Sequence, residues 1–225
     1  MINNLLIIDT ETTGLSQKQG AELIEVGAIL YNVPLRCILT QVSTLVPVKT
    51  IGQEETHGIS LKMANSVNHN VLTASNLLLG ELVKNADYAI AHKASFDKQF
   101  FATDLQWLCT YEDFRFIPYK PSSLINLALH HGIAIKSAHR ALIDCGLIAE
   151  ILTKRNDLEE LIANAIARAN SPRVWVRALV SFDDRDKAKN AYFTPYYVSG
   201  KFVDWRKEIK ECDLEDLTFD WELIK

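Results

Sequence analysis

The chain has 225 residues, of which 48% are hydrophobic and 23% charged, the balance of a soluble globular protein with one core domain and a small appendage. Its formal net charge of −4 argues against a protein that coats long nucleic acid, but not against an enzyme that grips one strand end with bound cations. No apolar run approaches a membrane span, and the four scattered cysteines fit neither a zinc site nor a disulfide framework, so we expect a cytoplasmic protein without a membrane partner.

The first third of the sequence predicts strands. Residues 5–8 form a short apolar run that ends at Asp9, and residues 23–31 and 35–46 are rich in β-forming side chains on either side of a turn. The latter two runs are therefore predicted to pair as antiparallel neighbours. Residues 52–70 are polar and irregular, which predicts a surface loop.

Helices and one further strand are predicted over the middle of the chain. Apolar spacing predicts a helix over 71–84, and residues 88–91 form a second short buried strand. Further helices are predicted over 95–108 and over 123–131, the latter ended by Gly132 in the left-handed conformation.

Two more helices precede a break in the chain. The first is predicted over residues 139–154. The second is predicted to begin at Asn156, because Glu159 follows three residues later, which is the spacing of a capping box. Residues 170–172, with the sequence Asn-Ser-Pro, then interrupt the pattern. The predicted organisation is a main domain over 1–154, a connecting helix over 155–171 and a small aromatic-rich α+β module over 172–225.

The order of these elements indicates the class of fold. Antiparallel strands come first and are followed by alternating strands and helices, as in a mixed sheet with helices packed on its faces. The pattern fits an α/β or an α+β arrangement, and it does not choose between their topologies.

Two carboxylates stand at the end of the first apolar strand. Asp9 and Glu11 are two residues apart, so their side chains point to the same side of a strand. They repel each other and add nothing to packing, whereas a divalent cation removes the repulsion. Oxygen-only ligands favour Mg²⁺ or Mn²⁺ over zinc. The alternative is a solvated turn with capping acids.

Two further acids lie on predicted apolar helix faces. Asp97 precedes Phe100 and Phe101 by three and four residues, and Asp144 shares a helical stripe with Ile148. Because an unpaired buried carboxylate is costly, each acid needs a partner, and a metal centre is one candidate. The alternatives are a helix N-terminus that favours Asp97 and a backbone amide that binds Asp144.

A histidine precedes the last of these acids. His139 lies five residues before Asp144, about 140° away around a helix of 3.6 residues per turn. The two can share a site only if His139 lies at the entry of the helix rather than within it. A lone histidine is more often a surface or packing residue. Together, however, the five positions place polar groups where packing alone would prefer none, as functional sites do.

These residues fall in three ordered segments: residues 6–15 (LIIDTETTGL), residues 92–97 (HKASFD) and residues 138–144 (AHRALID). The segments resemble the three motifs of the DEDDh exonucleases, the DnaQ-like group that includes bacterial DNA polymerase proofreading subunits. Residues 56–59 (THGI) are similar to a family segment that helps bind the terminal nucleotide. Lys93 departs from the pattern, since the family usually has asparagine there.

The resemblance covers about residues 3–154 and implies an α/β, ribonuclease H-like fold with two Mg²⁺ or Mn²⁺ ions. It implies stepwise release of 5′-mononucleotides from a 3′ end, with His139 as the general base that takes the proton of the attacking water. The metal ligands that it implies are Asp9, Glu11, Asp97 and Asp144.

The resemblance also implies what the chain binds. The expected substrate is a single-stranded or frayed 3′ end of DNA, with RNA as the alternative, and a DNA polymerase is a further candidate partner. The expected substrate-binding residues are Thr10, Thr12, Leu15, His57 and Phe96.

Residues 172–225 hold ten of the twenty aromatic residues. Beside arginines and lysines such rings can form a stacking platform for single-stranded bases. A module of this size has little core, however, so the rings are expected mainly to fill it. A strand over 173–182, a helix over 184–191 and two further strands are predicted for the module.

Three other functions fit parts of the pattern. Asp9 and its neighbours loosely resemble the first motif of haloacid dehalogenase phosphatases, but those enzymes need an aspartate where Glu11 stands and leave His139 unexplained. A DEDDh exoribonuclease or oligoribonuclease would use the same five positions. A catalytically silent adaptor of the same fold is the third alternative, against which the presence of all five residues argues.

Overall fold

A computed structural model describes residues 2–119, 122–135 and 139–224 of the chain, so Ala138 of the third motif lies outside the described residues. The chain forms two compact units that divide between Ala169 and Asn170. Across the described ranges, no helix is long and apolar enough to cross a membrane.

A mixed sheet is the centre of the first unit. Its strands are β1 (Asn4–Thr12), β2 (Leu23–Asn32), β3 (Cys37–Leu45), β4 (Tyr88–Ala91) and β5 (Trp107–Cys109). Within the described residues their order is β3-β2-β1-β4-β5. β2 is antiparallel to both β1 and β3, whereas β4 is parallel to β1 and to β5. The predicted mixed sheet and the predicted antiparallel pair are therefore confirmed.

Helices cover both faces of this sheet. They are α1 (Glu54–His57), α2 (Leu61–Ala64), α3 (His69–Lys84), α4 (Ala94–Asp97), α5 (Leu124–His130), α6 (Ala141–Thr153) and α7 (Leu158–Ala169). Alternate residues of β1 enter two cores: Leu5 and Ile7 pack in one with α6, and Leu6 and Ile8 pack in the other with α3. A strand that is covered on both faces is apolar throughout, which explains the run at 5–8.

The strand that carries the first motif is longer than predicted. β1 continues past Asp9 to Thr12, because Asp9 and Glu11 remain paired with β2, opposite Gly27 and Glu25. The two acids therefore lie on a hydrogen-bonded strand rather than in a turn, which fixes the direction of their side chains.

Two other predictions were wrong. The helix over 95–108 ends at Asp97, and Trp107–Cys109 is instead a buried strand beside β4. A short buried strand and a helical stripe share the same apolar composition, so periodicity did not separate them. The loop over 52–70 contains α1 and α2, and it buries His57 and Ile59.

α7 belongs to the first unit. The sequence suggests a connecting helix over 155–171, but the apolar side of α7, including Leu158, Leu161 and Ile162, packs into the same core as α6. The division of the chain at Asn170 follows from this packing.

The second unit is a small antiparallel sheet with one helix. Its elements are β6 (Arg173–Ala178), α8 (Arg185–Asn190), β7 (Thr194–Val198), β8 (Lys201–Lys210) and β9 (Trp221–Leu223). In the described part the strand order is β7-β8-β6-β9. The expectation that aromatic rings fill its core holds for four of the ten rings. Phe193 is buried in the core, and Trp205, Phe219 and Trp221 are partly buried and pack against it, whereas the other six rings are exposed.

Candidate active site

Three carboxylates from two elements converge at the C-terminal end of β1. Asp9 and Glu11 follow Leu5 and Ile7 on the strand face that α6 covers, and Asp144 lies in the first turn of α6. Each acid offers an oxygen atom, and these oxygens lie within 4.8 Å of one another. Three negative groups so close together are a candidate site for divalent cations with oxygen ligands.

Asp97 reaches the same region from the other side of the strand. Its side chain is only 2% exposed, and its Oδ1 accepts a hydrogen bond of 2.8 Å from the Thr10 hydroxyl. Thr10 lies between Asp9 and Glu11 on β1, so this bond ties Asp97 to the strand that carries the other acids. The short helix α4 begins directly after Lys93, which has the left-handed φ of 64°, and ends at Asp97.

His139 lies at the entry of α6. It is exposed, with a φ of 60°, and Arg140 follows in extended conformation before the helix begins at Ala141. The change of direction keeps the imidazole off the helix surface, as a shared site with Asp144 requires. Among the described residues the buried Oδ1 of Asp144 has no hydrogen-bond partner.

The acids raise one another's proton affinity. Burial, followed by the charges of Asp97 and Asp144, raises the pKa of Asp9 well above its usual range. Burial and the charge of Asp144 raise the pKa of Glu11 to about 7. Burial alone outweighs the Thr10 hydrogen bond and raises the pKa of Asp97 to about 7. Such carboxyls are poorly stabilised as anions by the protein itself, and a bound cation would stabilise the charged form.

An ion pair beside the acids holds the entry of α6. Glu25 of β2 is 1% exposed and lies opposite Glu11 in the sheet. It accepts two hydrogen bonds from the Arg140 guanidinium, at 2.9 and 2.7 Å, and a third from the Ala141 backbone amide at 3.1 Å. Arg140 therefore fixes the backbone directly after His139, while its charge offsets that of Glu25.

Sequence reasoning missed Glu25 and Arg140 as members of the site. A signal was present, because Glu25 is the one charged residue in the apolar run 23–31. A charge within a buried strand needs a partner, and the cation next to His139 is that partner.

The other expected substrate residues lie in different settings. The Thr12 hydroxyl donates to the Gly14 carbonyl, and Leu15 is 75% exposed. Leu15 lies at a cavity of about 270 Å³ formed by residues 13–16, 19–21 and 50–51. Phe96 is half-buried and packs on Phe100, with ring centroids 5.3 Å apart.

His57 is buried, and its ring nitrogens bond to the backbone of the loop in which it lies. One ring nitrogen is 2.8 Å from the Gly52 carbonyl and the other accepts from the Ile59 amide. Gly52 in turn packs against the Thr13 carbonyl so closely that a Cβ atom there would lie 2.2 Å from it. His57 thus shapes the loop beside the first motif, and its direct contact with substrate stays a prediction.

Residues 6–152 match the family model described as exonuclease (RNase T), whereas no curated protein matches the sequence significantly. Solved structures share the fold at low identity. Exonuclease X in complex with 5′-overhanging duplex DNA is 24% identical, over 72% of this chain and 99% of that chain, with a TM-score of 0.52.

Two further structures extend the comparison. A 3′-exonuclease that recognises a histone mRNA stem-loop is 15% identical over 71% of this chain and 64% of its own, with a TM-score of 0.56. The zinc-bound Escherichia coli exonuclease I complex with single-stranded DNA is 12% identical over 97% of this chain and 68% of its own, with a TM-score of 0.61. These likenesses show a shared fold with nucleases, and the mixed sheet is that of the ribonuclease H-like exonucleases.

Proposed function

The chain belongs to the DEDDh exonucleases, and on that premise we propose that it is a metal-dependent 3′-5′ exonuclease that releases 5′-mononucleotides, with DNA as the favoured substrate. The convergence of the Asp9, Glu11 and Asp144 oxygens within 4.8 Å carries the proposal. Nothing in packing explains three such carboxylates, while phosphodiester hydrolysis at a cation site does.

The donor set fits Mg²⁺ or Mn²⁺. All ligand atoms are carboxylate oxygens, the pKa values of the acids are raised, and one buried oxygen of Asp144 lacks a partner among the described residues. Asp9, Glu11 and Asp144 would hold the ions, with Asp97 in support, and we propose two ions per site. When bound, such ions stabilise charge on the attacking and leaving oxygens of a phosphoryl displacement.

The protein's own groups supply the proton transfer and the orientation. The His139 imidazole, which is exposed at the entry of α6, would take a proton from the attacking water as a general base. Burial raises the pKa of Asp144, and the nearby His139 opposes that rise, since the two groups attract each other. Asp97, held by Thr10, keeps its carboxylate directed toward β1.

Strand ends would enter beside the first motif. The exposed Leu15 side chain lies at a cavity beside this motif, and we assign the terminal nucleotide to this side. The nucleotide would lie between Leu15 and Phe96, with Thr10 and Thr12 fixing the strand beneath it. The predicted polymerase partner and cytoplasmic location stay predictions.

Oligonucleotides labelled at one end test the proposal. Matched DNA and RNA single strands with a 3′ or a 5′ label are incubated with Mg²⁺, with Mn²⁺ and with chelator. We expect immediate loss of the 3′ label and stepwise shortening of the 5′-labelled strand, only with metal and faster on DNA. Asp9→Ala, folded but inactive, is the control.

The outcomes separate the candidate functions. Faster digestion of RNA would favour the exoribonuclease, whose five catalytic positions would be the same. The absence of cleavage on either polymer with any metal would refute the exonuclease and favour a silent adaptor.

A further inference from the structure

The second unit carries exposed aromatic rings, which are not part of its buried core. Contiguous exposed apolar surface on a protein commonly marks a binding site. The exposed rings, between 39% and 83% accessible, are Trp175, Phe182, Tyr192, Tyr196, Tyr197 and Phe202.

Three rings form a continuous strip on the β7–β8 hairpin. Tyr197 and Phe202 lie 6.0 Å apart between centroids, and Phe202 and Trp205 lie 5.9 Å apart. We call Tyr197, Phe202 and Trp205 the aromatic strip. Tyr197 and Phe202 are 56% and 51% exposed, whereas Trp205 is half-buried and anchors the strip on the core of the unit.

The backbone of the hairpin holds the strip in place. Ser199 and Gly200 both have positive φ, 49° and 78°, as in the tight two-residue turns that suit twisted hairpins. The register shifts beside Tyr197, where β8 contains one extra residue. Residues three apart point to opposite faces of a regular strand, so this bulge is what brings Phe202 to the same side as Trp205. The strip is thus preformed rather than carried on a loop.

Cations accompany the rings. The Lys189 ammonium lies 5.9 Å from the centre of the Trp205 ring. The hairpin, residues 194–210, contains four cations, Lys201, Arg206, Lys207 and Lys210, against two acids, Asp204 and Glu208. Asp204 is paired with Arg206 at 2.7 Å. The hairpin therefore carries excess positive charge in a chain whose net charge is −4. Acids outside the hairpin pair with the two lysines of α8, Asp184 with Lys187 at 2.8 Å and Asp186 with Lys189 at 3.0 Å.

We propose that the aromatic strip binds the bases of single-stranded nucleic acid, with the lysines of the hairpin and of α8 near its phosphates. Aromatic side chains beside a positive surface stack on successive bases with little regard to sequence. A duplex hides its base faces, so the strip selects unpaired strands. Lysines are depleted at the centres of protein interfaces, which disfavours a protein as the occupant. The inference rests on the proposed function only in taking the bound strand to be the enzyme's own substrate.

Binding by the full chain in chelator, where no cleavage occurs, tests the strip. Fluorescence anisotropy measures the Kd for a labelled oligothymidylate of 20 nucleotides. Tyr197→Leu/Phe202→Leu keeps apolar bulk but removes the π faces, and we expect binding at least about tenfold weaker. Tyr197→Phe/Phe202→Tyr keeps both rings, and we expect a Kd within about twofold of the original.

Trp175→Leu is the matched control. Trp175 is 50% exposed, much like Phe202, but it lies on β6 outside the strip, opposite Glu208. We expect it to leave the Kd unchanged, and we expect a blunt duplex to compete poorly. Circular dichroism establishes that each variant is folded.

Two results would overturn the proposal: binding by the double leucine variant as tight as that of the unaltered chain, or an equal loss in Trp175→Leu. Failure of the exonuclease is a separate outcome. A chain that binds through the strip but cleaves nothing with metal would refute the proposed function and leave the strip standing. If the chain cleaves but the leucine substitutions do not affect its binding, the proposed function stands and the role of the strip is refuted.

Discussion

The two units depart from ordinary packing in opposite directions. The first buries Asp97 and Glu25, at 2% and 1% exposure, within an otherwise apolar core. The second leaves Tyr197 and Phe202 more than half exposed, although Phe193 and three other rings pack in or against its core. Burying charge and exposing rings both cost free energy of folding, so neither arrangement is expected from stability alone.

The unfavourable groups of the two units are arranged differently. In the first unit the unfavourable groups converge on one point and share a candidate ligand, so they indicate chemistry. In the second they spread along a hairpin with cations beside them, so they indicate contact with an extended molecule. Conflicts between local packing and the rest of the fold are expected where function is selected.

Replacing an acid of the cluster gives the largest expected effect. Asp144→Asn removes one charge without changing shape, and we expect cleavage to fall by about 10³-fold or more, since charge stabilisation at the phosphate is lost. We expect the melting temperature to stay the same or rise, because a repulsion is relieved. Glu150→Gln, an exposed acid on the same helix, is the control and should change neither quantity. A fall in stability together with activity would mean that Asp144 is a structural acid, and the contrast between the units would weaken.

Breaking the Glu25–Arg140 pair gives the next largest effect, this time on stability. Arg140→Ala leaves a fully buried carboxylate without its cation, and we expect a loss of about 3 kcal/mol in the free energy of unfolding of the first unit. Turnover should fall as well, because the backbone after His139 is released. Denaturant titration measures the first quantity and the labelled-strand assay the second.

Arg155→Ala is the control for that pair. Asp157, the partner of Arg155, is 46% exposed, so loss of this ion pair should lower the free energy of unfolding by less than about 1 kcal/mol. Arg140→Lys keeps the charge but not the two hydrogen bonds to Glu25, so its stability should lie between those of Arg140→Ala and Arg155→Ala. An Arg140→Ala variant no less stable than Arg155→Ala would show that Glu25 does not depend on its partner.

Much of the first unit was predictable from the sequence because its signals are local. The strand at 88–91 and the helix near 71–84 follow from apolar spacing and are confirmed, with the helix extended to His69. The strand at Trp107–Cys109 was missed because three apolar residues carry no periodicity, and their pairing with β4 is a long-range contact. Helix-like composition then extended α4 beyond its true end.

The sequence indicated the acids of the candidate site but not the side-chain contacts that hold them in position. Asp9, Glu11 and Asp144 are conspicuous because each is a charge on an apolar element, and the structure brings them together. The bond from Thr10 to Asp97 joins residues 87 positions apart, and the pair of Glu25 and Arg140 joins residues 115 apart. No pattern along the chain specifies such pairings, since they follow from the tertiary fold.

The pH should have a moderate effect on the stability of the first unit, through the buried acids of the cluster. The raised pKa values of Glu11 and Asp97, both about 7, mean that the fold favours their protonated forms. Their contribution to stability is full below the ordinary carboxyl pKa near 4 and is lost as the pH rises through about 7. We expect the metal-free chain to melt about 5 °C lower at pH 8 than at pH 5.

Saturating Mg²⁺ should remove most of that fall, because a cation stabilises the ionised acids. His92 acts in the opposite sense, since burial lowers its pKa to about 4, so that its contribution is lost as the pH falls below about 6.5. Melting curves with and without Mg²⁺ at each pH cancel the His92 contribution. Equal slopes in both series would contradict a cation site at the acids.

The smallest expected effect is on the stability of the second unit, and it tests the other half of the comparison. Phe202→Ser removes an exposed ring, and we expect the unit to lose at most about 1 kcal/mol, which its contacts with Tyr197 and Trp205 account for. Phe193→Ala removes a ring that is 3% exposed and should cost about 3 kcal/mol. Amide hydrogen exchange along β6 and β8 measures both in the full chain. If Phe202→Ser cost as much as Phe193→Ala, the strip would be part of the core and its exposure would indicate no ligand. A small cost, beside a large loss of strand binding in the leucine variants, would mean that the second unit carries its rings for contact rather than for folding.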